Sequence, residues 1–234
     1  MAAPTNQDHL KQISAESAAS EVTDGMVVGL GTGSTAKLAV DALGVRVRKG
    51  LKIVGIPTSE RTATQAKQLG IPLATLADYA HIDLTIDGAD EVQLGTLHLI
   101  KGHGGALLRE KIVASASRKF TVIVDQSKLV EKLGTHFEVP IEVVQFGWQA
   151  AARKLQELGG KPAMRMAASG TEPFMSDGGH YIIDCAFGAI ADPEGLAKEL
   201  DSVVGVVEHG LFLRMCSKVL VGEADGVKTL TPNR

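Results

Sequence analysis

Four short apolar stretches in the first half of the chain each end in a polar cluster, and helix-like stretches separate most of them. The apolar stretches are 26–30, 82–86, 97–100 and 120–124. Continuous apolar runs of this length are typical of strands buried on both faces, and strands that alternate with helices form mostly parallel sheets. Ligands bind at the carboxyl ends of such strands. The pattern therefore predicts an α/β chain whose functional site is built from the polar clusters.

The segments that connect these stretches are predicted to be helices, with residues at their ends that favour helix initiation or termination. Apolar spacing and capping residues indicate one further strand at 51–56 and helices at 8–22, 36–43, 59–69 and 106–117. Thr5 or Asn6 can cap the first helix, and Ser59 can cap the third. The chain continues to alternate strand and helix up to about residue 133, as expected of a Rossmann-like, mostly parallel sheet.

From about residue 133 the order of elements changes to β-α-β-β-α-β. The expected strands and helices are 139–144, 147–158, 163–168, 181–187, 193–203 and 206–211, followed by a closing strand pair at 218–221 and 227–230. This order is that of a split βαβ unit. We therefore predict a Rossmann-like catalytic domain formed by 1–134 plus 208–234, with a smaller inserted α+β (ferredoxin-like) domain at 135–207. Phe146 and Trp148 are expected to pack that smaller domain.

Composition limits the partners and the compartment. The chain has 234 residues, of which 22% are charged, and its net charge of -3 gives no electrostatic reason to expect nucleic acid or an anionic membrane as partner. No apolar run approaches the ~20 residues of a membrane-spanning helix, and the N-terminus lacks the features of a signal peptide. Two cysteines, Cys185 and Cys216, form no disulfide framework. We expect a cytoplasmic protein in which Cys185 is a buried thiol.

The polar cluster Gly31-Thr32-Gly33-Ser34-Thr35 lies between a strand and a helix, where free backbone N–H groups and the helix dipole favour an anion. Gly31, Gly33 and Ala36 satisfy Gly-x-Gly-x-x-Ala, a weak match to dinucleotide sites. Such sites also need an acid after the next strand, and here Pro57-Thr58-Ser59 follows instead. The hydroxyl-rich loop therefore favours a single phosphate, and a tight turn without ligand is the alternative.

The second cluster, Asp87-Gly88-Ala89-Asp90-Glu91, places three acids within five residues at the end of a strand. Capping of the following turn would explain one of them. The seven histidines show no ligand spacing, and carboxylates alone would be a weak basis for Mg²⁺, so no metal site is predicted. Without a metal, these carboxylates would bind sugar hydroxyls or move protons between them.

The third cluster combines Lys101 with a glycine-rich loop and Glu110 on the helix that follows. Glu110 could form a surface ion pair with Arg109 or Lys111, which is common. If Glu110 points at the loop instead, it is a base beside an anion-binding site, and Lys101 could stabilise an oxyanion. A base, a cation, acids and a phosphate cradle together suit proton abstraction next to a carbonyl in a phosphorylated sugar.

These motifs, in this order and over nearly the whole chain, resemble those of the A-type ribose-5-phosphate isomerase family. The segments that carry the resemblance are Gly29-Leu30-Gly31-Thr32-Gly33-Ser34-Thr35, Asp87-Gly88-Ala89-Asp90-Glu91, Lys101-Gly102-His103-Gly104-Gly105-Ala106-Leu107-Leu108-Arg109-Glu110-Lys111 and Val124-Asp125-Gln126-Ser127-Lys128. The resemblance implies interconversion of D-ribose 5-phosphate and D-ribulose 5-phosphate in the non-oxidative pentose phosphate pathway, with neither a metal nor an organic cofactor. It also implies a homodimer or a homotetramer.

The resemblance assigns residue roles as well. Glu110 matches the family's proton acceptor; the expected proton-abstraction chemistry makes Asp87 and Lys101 the other expected catalytic residues. The expected substrate-binding residues are Lys11, Thr32, Gly33, Ser34, Thr35, Asp87, Gly88, Ala89, Asp90, Lys101, Gly102, His103, Gly104 and Lys128. For Lys11, spacing on the first helix alone would fit a solvated surface lysine.

One departure and three competing functions accompany this interpretation. The family's loop after the lysine is typically glycine throughout, whereas its second position here is His103, which would be strained if that position required a positive φ. The competing functions are an amino-sugar-phosphate isomerase or deaminase, a non-catalytic sugar-phosphate sensor and a dinucleotide-dependent oxidoreductase. No DNA-reading module is apparent for the sensor, and the missing acid disfavours the oxidoreductase.

Overall fold

The computed structural model describes residues 6–233, and side chains from Gln7 onward, so the predicted cap Thr5 lies outside the described residues. The helices are α1 (Asn6–Ser20), α2 (Ser34–Arg48), α3 (Glu60–Gln68), α4 (Leu107–Ser115), α5 (Trp148–Glu157) and α6 (Pro193–Asp201). The strands are β1 (Val27–Leu30), β2 (Val54–Pro57), β3 (Leu84–Asp87), β4 (Glu91–Gln93), β5 (Leu99–Ile100), β6 (Phe120–Asp125), β7 (Leu129–Val130), β8 (Val139–Val143), β9 (Lys161–Met164), β10 (Tyr181–Ala186), β11 (Val206–His209), β12 (Leu211–Phe212), β13 (Lys218–Glu223) and β14 (Gly226–Leu230).

A six-stranded sheet in the order β14-β13-β6-β3-β1-β2 forms the larger part of the structure. Five of its strands run parallel, and β14 closes one edge as the predicted antiparallel partner of β13. The chain leaves β1 toward β2 on one side and returns to β3 on the other, so the strand order reverses between β1 and β3. Ligand crevices of open α/β sheets form at such a reversal. The fold therefore directs attention to the loops after Leu30 and Asp87.

Helix α1 packs against α2 and across β6 and β13, close to the carboxyl ends of both strands. The backbone of Leu10 lies directly over Gly222, where a Cβ atom would collide with the Leu10 carbonyl group. Gly222 is in register with Asp125, the last residue of β6. This close approach places the next residue of the helix, Lys11, at the edge of the sheet where the polar clusters end.

A four-stranded antiparallel sheet in the order β11-β8-β10-β9 follows in the chain. Its chain order, β8-α5-β9-β10-α6-β11, confirms the predicted ferredoxin-like arrangement. The predicted boundary between residues 207 and 208 falls inside strand β11, and the division into two domains stays a proposal. Cys185 is buried in the core of this sheet, as expected.

The segment 206–211, predicted as one strand, is two strands that belong to different sheets. Strand β11 pairs in the antiparallel sheet, whereas β12 joins a third, unpredicted sheet in the order β12-β5-β4-β7. Gly210 separates them: it donates to the Pro140 carbonyl at 2.7 Å and accepts from the Lys101 N–H at 2.9 Å. A Cβ atom there would collide with the Lys101 carbonyl group, so the sheet change requires glycine.

Several other predictions about the elements were wrong in detail. The strand expected at 97–100 is only Leu99–Ile100, because Leu97 has a φ of 54° in the tight turn that joins β4 to β5. The strand expected at 163–168 ends at Met164, after which the chain turns into a loop. Phe146, expected in the core, is 95% exposed, whereas Trp148 packs against the core of the antiparallel sheet as predicted.

Candidate active site

A cleft of about 100 Å³ opens at the carboxyl edge of the large sheet, where the strand order reverses. It is lined by thirteen residues, namely Lys11, Thr32, Gly33, Ser34, Thr35, Gly88, Ala89, Asp90, Lys101, Gly102, Gly104, Glu110 and Lys128. Asp87 lies beneath this surface against Lys101, and His103 borders it through Asp90. The structure thus brings every predicted site residue to one place.

Among the wider hollows on the described surface, two adjoin the loop after β1 or helix α4, but neither holds the buried charged groups. One of about 710 Å³ adjoins the glycine loop at Ser34 and Lys37. The other, of about 500 Å³, is mostly apolar and lies between α3 and α4. Acid–base catalysis uses ionisable side chains whose pKa is shifted by burial and by nearby charges. The small polar cleft, which has such side chains, is therefore the candidate active site.

Asp87 ends strand β3 and is almost completely buried. Its Oδ1 accepts the backbone N–H groups of Thr32 at 3.1 Å and Gly88 at 2.7 Å, and its Oδ2 lies 3.0 Å from Lys101 Nζ. Burial raises the pKa of Asp87, and the opposing effects of Lys101 and the two N–H groups do not cancel that rise. Asp87 therefore holds a proton more readily than an exposed aspartate does.

Lys101 follows strand β5 and extends into the protein rather than into water, with only 2% of its side chain exposed. Its Nζ donates to the Gly88 carbonyl at 2.7 Å and lies 3.4 Å from Glu110 Oε2. Burial by itself would lower the pKa of Lys101, but the nearby carboxylates of Asp87, Glu110 and Asp90 more than reverse this and raise it. The ammonium group therefore stays charged and can stabilise an anion that forms beside it.

Glu110 lies in the first turn of α4, and its side chain is buried rather than solvated. The alternative of a surface ion pair with its neighbours is wrong, because Arg109 pairs with Glu60 and Lys111 pairs with Glu208. Burial raises the pKa of Glu110 to about 8; Lys101 opposes this rise, and the negative charges of Asp87 and Asp90 add to it. This value is well suited to a general base that works near neutral pH.

Two carboxylate oxygens in this cluster lack hydrogen-bond partners among the described residues. They are Asp87 Oδ2 and Glu110 Oε2, the same atoms that Lys101 Nζ approaches. The single ammonium group lies beside both oxygens and also donates to the Gly88 carbonyl. One buried cation thus faces two carboxylates, and this arrangement keeps the two acids next to each other beneath the cleft.

The loop after β1 forms the opposite end of the cleft. Helix α2 begins at Ser34 after Gly33, whose φ of 125° is accessible to glycine and whose position offers no side-chain cap. The first N–H groups of α2 are therefore free to bind an anion, and Lys11 and Lys128 bring positive charge to the same cleft. This end of the cleft suits a phosphate group.

Thr32 does not supply the hydroxyl donor that the sequence suggested. Its Oγ1 lies 2.7 Å from Thr58 Oγ1 and Ser59 Oγ, and 3.0 Å from Thr62 Oγ1. Its N–H group is committed to Asp87. Thr32 therefore lines the cleft but acts through a buried hydroxyl network that ties β1 to the start of α3.

His103 carries no backbone strain, since it is not among the described residues with positive φ. Its N–H donates to Asp90 Oδ2 at 3.1 Å, and its Nε2 lies 3.1 Å from the Glu138 carbonyl oxygen. The His103 ring packs edge-on against the Phe137 ring, whose centroid also lies 4.4 Å from Lys128 Nζ. The strain that a positive φ would impose on a histidine is therefore absent here.

Within 6–233, one group of acids and histidine has the spacing to hold a metal ion, and it includes none of the cleft residues. It consists of Asp201, Glu208 and His209. Lys111 Nζ already occupies this cluster, 2.6 Å from Glu208 Oε1. Burial and the charge of Lys111 lower the pKa of His209 to about 3. The cluster is an internal ion-pair site that joins α4 to β11.

None of the described helices has both the length and the apolar character needed to cross a membrane.

Comparison with known sequences then decides the family. A sequence profile of the family described as ribose 5-phosphate isomerase A (phosphoriboisomerase A) matches residues 54–226. The chain belongs to this family. It is 58% identical over 226 residues to ribose-5-phosphate isomerase A of Gloeobacter violaceus, with 97% of each chain covered. It is 53% identical to the isomerase A of a Synechococcus species, covering 95% of this chain and 97% of the relative.

Solved structures of the isomerase family share the whole fold. The chain superposes on ribose 5-phosphate isomerase A from Methanocaldococcus jannaschii with a TM-score of 0.92 and 46% identity, covering 96% and 99% of the two chains. A D-ribose-5-phosphate isomerase in complex with phospho-erythronic acid gives a TM-score of 0.93 at 40% identity, covering 97% of this chain and 100% of the other. The fold class predicted from the sequence is therefore confirmed.

Two residues near the cleft of this family member were misjudged or missed in the sequence. No sequence motif sets Arg165 apart from a surface arginine, yet only 12% of its side chain is exposed and it contacts the glycine loop. Glu91 resembles a third active-site acid, yet its carboxylate accepts the N–H groups of Gly134, His136 and Phe137. Neither role has a local sequence signal, because the glycine loop lies more than sixty residues from Arg165 and the N–H partners lie more than forty from Glu91.

Proposed function

We propose that the chain interconverts D-ribose 5-phosphate and D-ribulose 5-phosphate through an enediolate, with Glu110 as the base. The observation that carries this proposal is the buried trio of Asp87, Lys101 and Glu110, in which two carboxylate oxygens lack hydrogen-bond partners beside a free helix N-terminus. A phosphate at one end of the cleft and a base with a cation at the other match the two ends of a phosphorylated sugar. Membership of the isomerase family supports the same reaction.

Binding comes first in this mechanism. The N–H groups at the start of α2, together with Ser34, Thr35, Lys11 and Lys128, hold the phosphate. Gly88, Ala89, Asp90, Gly102 and Gly104 line the space that the sugar hydroxyls would occupy. Binding energy from the phosphate, which does not react, fixes the sugar chain over the buried acids.

Proton transfer follows in balanced steps. Asp87 assists ring opening by moving the proton of the O1 hydroxyl toward the ring oxygen. Ionised Glu110 then takes the proton from C2 of the open aldehyde, and the electron pair moves onto O1, where Lys101 stabilises the negative charge. Asp87 transfers the O2 proton to O1, and Glu110 returns its proton to C1 to give the ketone at C2. The raised pKa values of both acids suit this exchange.

The test is isomerisation of ribose 5-phosphate in heavy water with EDTA present, comparing the wild type with Glu110→Gln. We expect wild-type turnover with solvent deuterium at C1 of the ketose, and a loss of about 10²–10⁴-fold in kcat for the variant. Binding of phospho-erythronic acid, measured by calorimetry, should change much less than kcat. Glu60→Gln, an exposed glutamate, is the matched control and should retain wild-type turnover.

The alternatives give different results in the same assay. A wild type that binds sugar phosphates but does not isomerise ribose 5-phosphate would contradict the proposal and favour a sensor or another substrate. Release of ammonia from an amino-sugar phosphate would indicate the deaminase. Turnover that EDTA abolishes would contradict a route that needs no metal.

From the family we propose a homodimer or a homotetramer that acts in the non-oxidative pentose phosphate pathway, and from the composition a location in the cytoplasm. Size-exclusion chromatography with light scattering distinguishes these two assemblies from a monomer of 24.6 kDa.

A further inference from the structure

The glycine loop after Lys101 is held from outside the large sheet by one arginine. Arg165 lies directly after β9 in the antiparallel sheet, and its Nη1 donates to the Gly102 carbonyl at 2.9 Å and to the His103 carbonyl at 3.3 Å. These two carbonyl groups belong to consecutive peptide planes of the loop that lines the cleft. Arg165 therefore contacts the backbone of the site without reaching the cleft itself.

The guanidinium group is fixed in this orientation by its other nitrogens. Nε donates to Asp184 Oδ2 at 2.8 Å, and Nη2 donates to Asp184 Oδ1. A planar guanidinium held at two points by a carboxylate cannot rotate, so the direction of Nη1 is set by the antiparallel sheet. The ring of Phe174 stacks 5.9 Å from the guanidinium and fills the space beside Gly105.

The contact determines which way two N–H groups of the loop point. In a trans peptide the N–H group points opposite to the C=O group of the same plane, and the described chain has no cis peptide. The Gly102 carbonyl faces Arg165, so the His103 N–H faces away and donates to Asp90 Oδ2. The His103 carbonyl also faces Arg165, so the Gly104 N–H is turned to the side of the loop that holds the cleft.

The Gly104 N–H is an unused donor. It donates to no described residue, and Gly104 lines the cleft together with Lys101 and Glu110. An oriented backbone N–H beside a buried ammonium group is a suitable partner for an oxygen that becomes negatively charged during proton transfer.

We propose that Arg165 is a positioning residue for the reaction: by holding the Gly102 and His103 carbonyl groups it presents the Gly104 N–H to the enediolate oxygen. The inference rests on the proposed function, because it assigns the orientation of one donor in that site. It also makes the antiparallel sheet part of what positions the site, since Asp184 of β10 fixes the arginine.

The test compares Arg165→Met with Arg214→Met. Arg214 forms the same kind of two-point pair, with Glu194, but contacts neither the cleft nor its loop. Calorimetric titration with phospho-erythronic acid counts the competent sites, and kcat for ribose 5-phosphate is expressed per competent site. Removing an oxyanion donor costs about 10²–10³-fold in kcat, so misdirecting one should cost about 10–100-fold in Arg165→Met. KM should change much less, and Arg214→Met should stay within about twofold of the wild type.

Arg165→Lys keeps the charge but not the planar fork, so it should recover part of the kcat that Arg165→Met loses. If Arg165→Met does not fold, Arg165→Lys decides: the proposal requires a kcat per site below the wild type with full binding stoichiometry. Per-site kcat values equal to that of Arg214→Met would overturn the proposal, because Arg165 would then be structural only. A wild type without turnover would refute the isomerase function instead, so the two failures are distinguishable.

Discussion

At the scale of single residues, two carboxyl groups and one ammonium group share a space from which water is nearly excluded. Lys101 can compensate the charge of one acid, and the second acid then stays protonated near neutral pH because ionisation would leave a net negative charge in a buried site. The trio therefore stores one mobile proton between Asp87 and Glu110. That is the property an isomerase needs, since its reaction moves protons without consuming any.

The same electrostatics predict that Glu110 weakens the fold at alkaline pH. Its pKa rises from 4.5 to about 8 on folding, so its stabilising neutral form is fully present below pH 4.5 and is lost as the pH rises through 8. Glu110→Gln mimics the neutral form. At pH 9 we expect the free energy of unfolding of the variant to exceed that of the wild type by up to a few kcal/mol, at ~1.4 kcal/mol per pKa unit. Near pH 5 the two proteins should be equally stable.

Urea unfolding at both pH values checks this prediction, with the exposed Glu131→Gln as control. The control should show the wild-type dependence on pH. An equal or lower stability of Glu110→Gln at pH 9 would contradict the raised pKa of the buried acid.

At the scale of elements, the sequence predicts what is local and misses what depends on distant strand pairing. The loop between β1 and α2 and the acids after β3 are visible because each motif lies within one strand-loop-helix unit. The third sheet is not visible, because its strands have two or three residues and show no periodicity. The contact of Arg165 with the glycine loop is also hidden, because it depends on how the antiparallel sheet lies against the large one.

Substitution of Gly210 should impair both catalysis and stability. It holds the Lys101 N–H and leaves no room for a Cβ atom against the Lys101 carbonyl, so Gly210→Ala must displace the backbone of the buried lysine. A shift of about 1 Å can cost about 10²-fold in rate. We expect kcat to fall at least tenfold by the same order-of-magnitude argument, together with a loss of thermal stability.

Gly159→Ala is the control for this substitution. Gly159 has a φ of 88°, and no atom lies within 4 Å of the position that a Cβ atom would take. It should lower stability by about 1 kcal/mol through backbone strain while leaving kcat unchanged. Equal kcat values for the two variants would show that Gly210 does not position Lys101.

At the scale of the whole molecule, Glu91 joins the third sheet to the segment that leads into the antiparallel sheet. Its buried carboxylate accepts three N–H groups from residues 134–137. In glutamine an NH₂ group replaces one of the two accepting oxygens, so it would face backbone N–H groups that also donate. We expect Glu91→Gln to destabilise the fold by about 2–4 kcal/mol in urea unfolding, because buried donors would lose their acceptor. The Glu131→Gln variant again serves as control, and a difference below about 0.5 kcal/mol would refute this role.

The late position of Gly210 in the chain has a consequence for synthesis. When Lys101 leaves the ribosome, nearly half of the chain has still to be made before its backbone partner exists, and β13 of the large sheet comes later still. A nascent chain that ends at 134 carries all four motifs singled out in the sequence, yet it lacks both Gly210 and Arg165. We therefore expect no activity from a chain that stops before Gly210, because the loop after Lys101 then lacks its backbone partner.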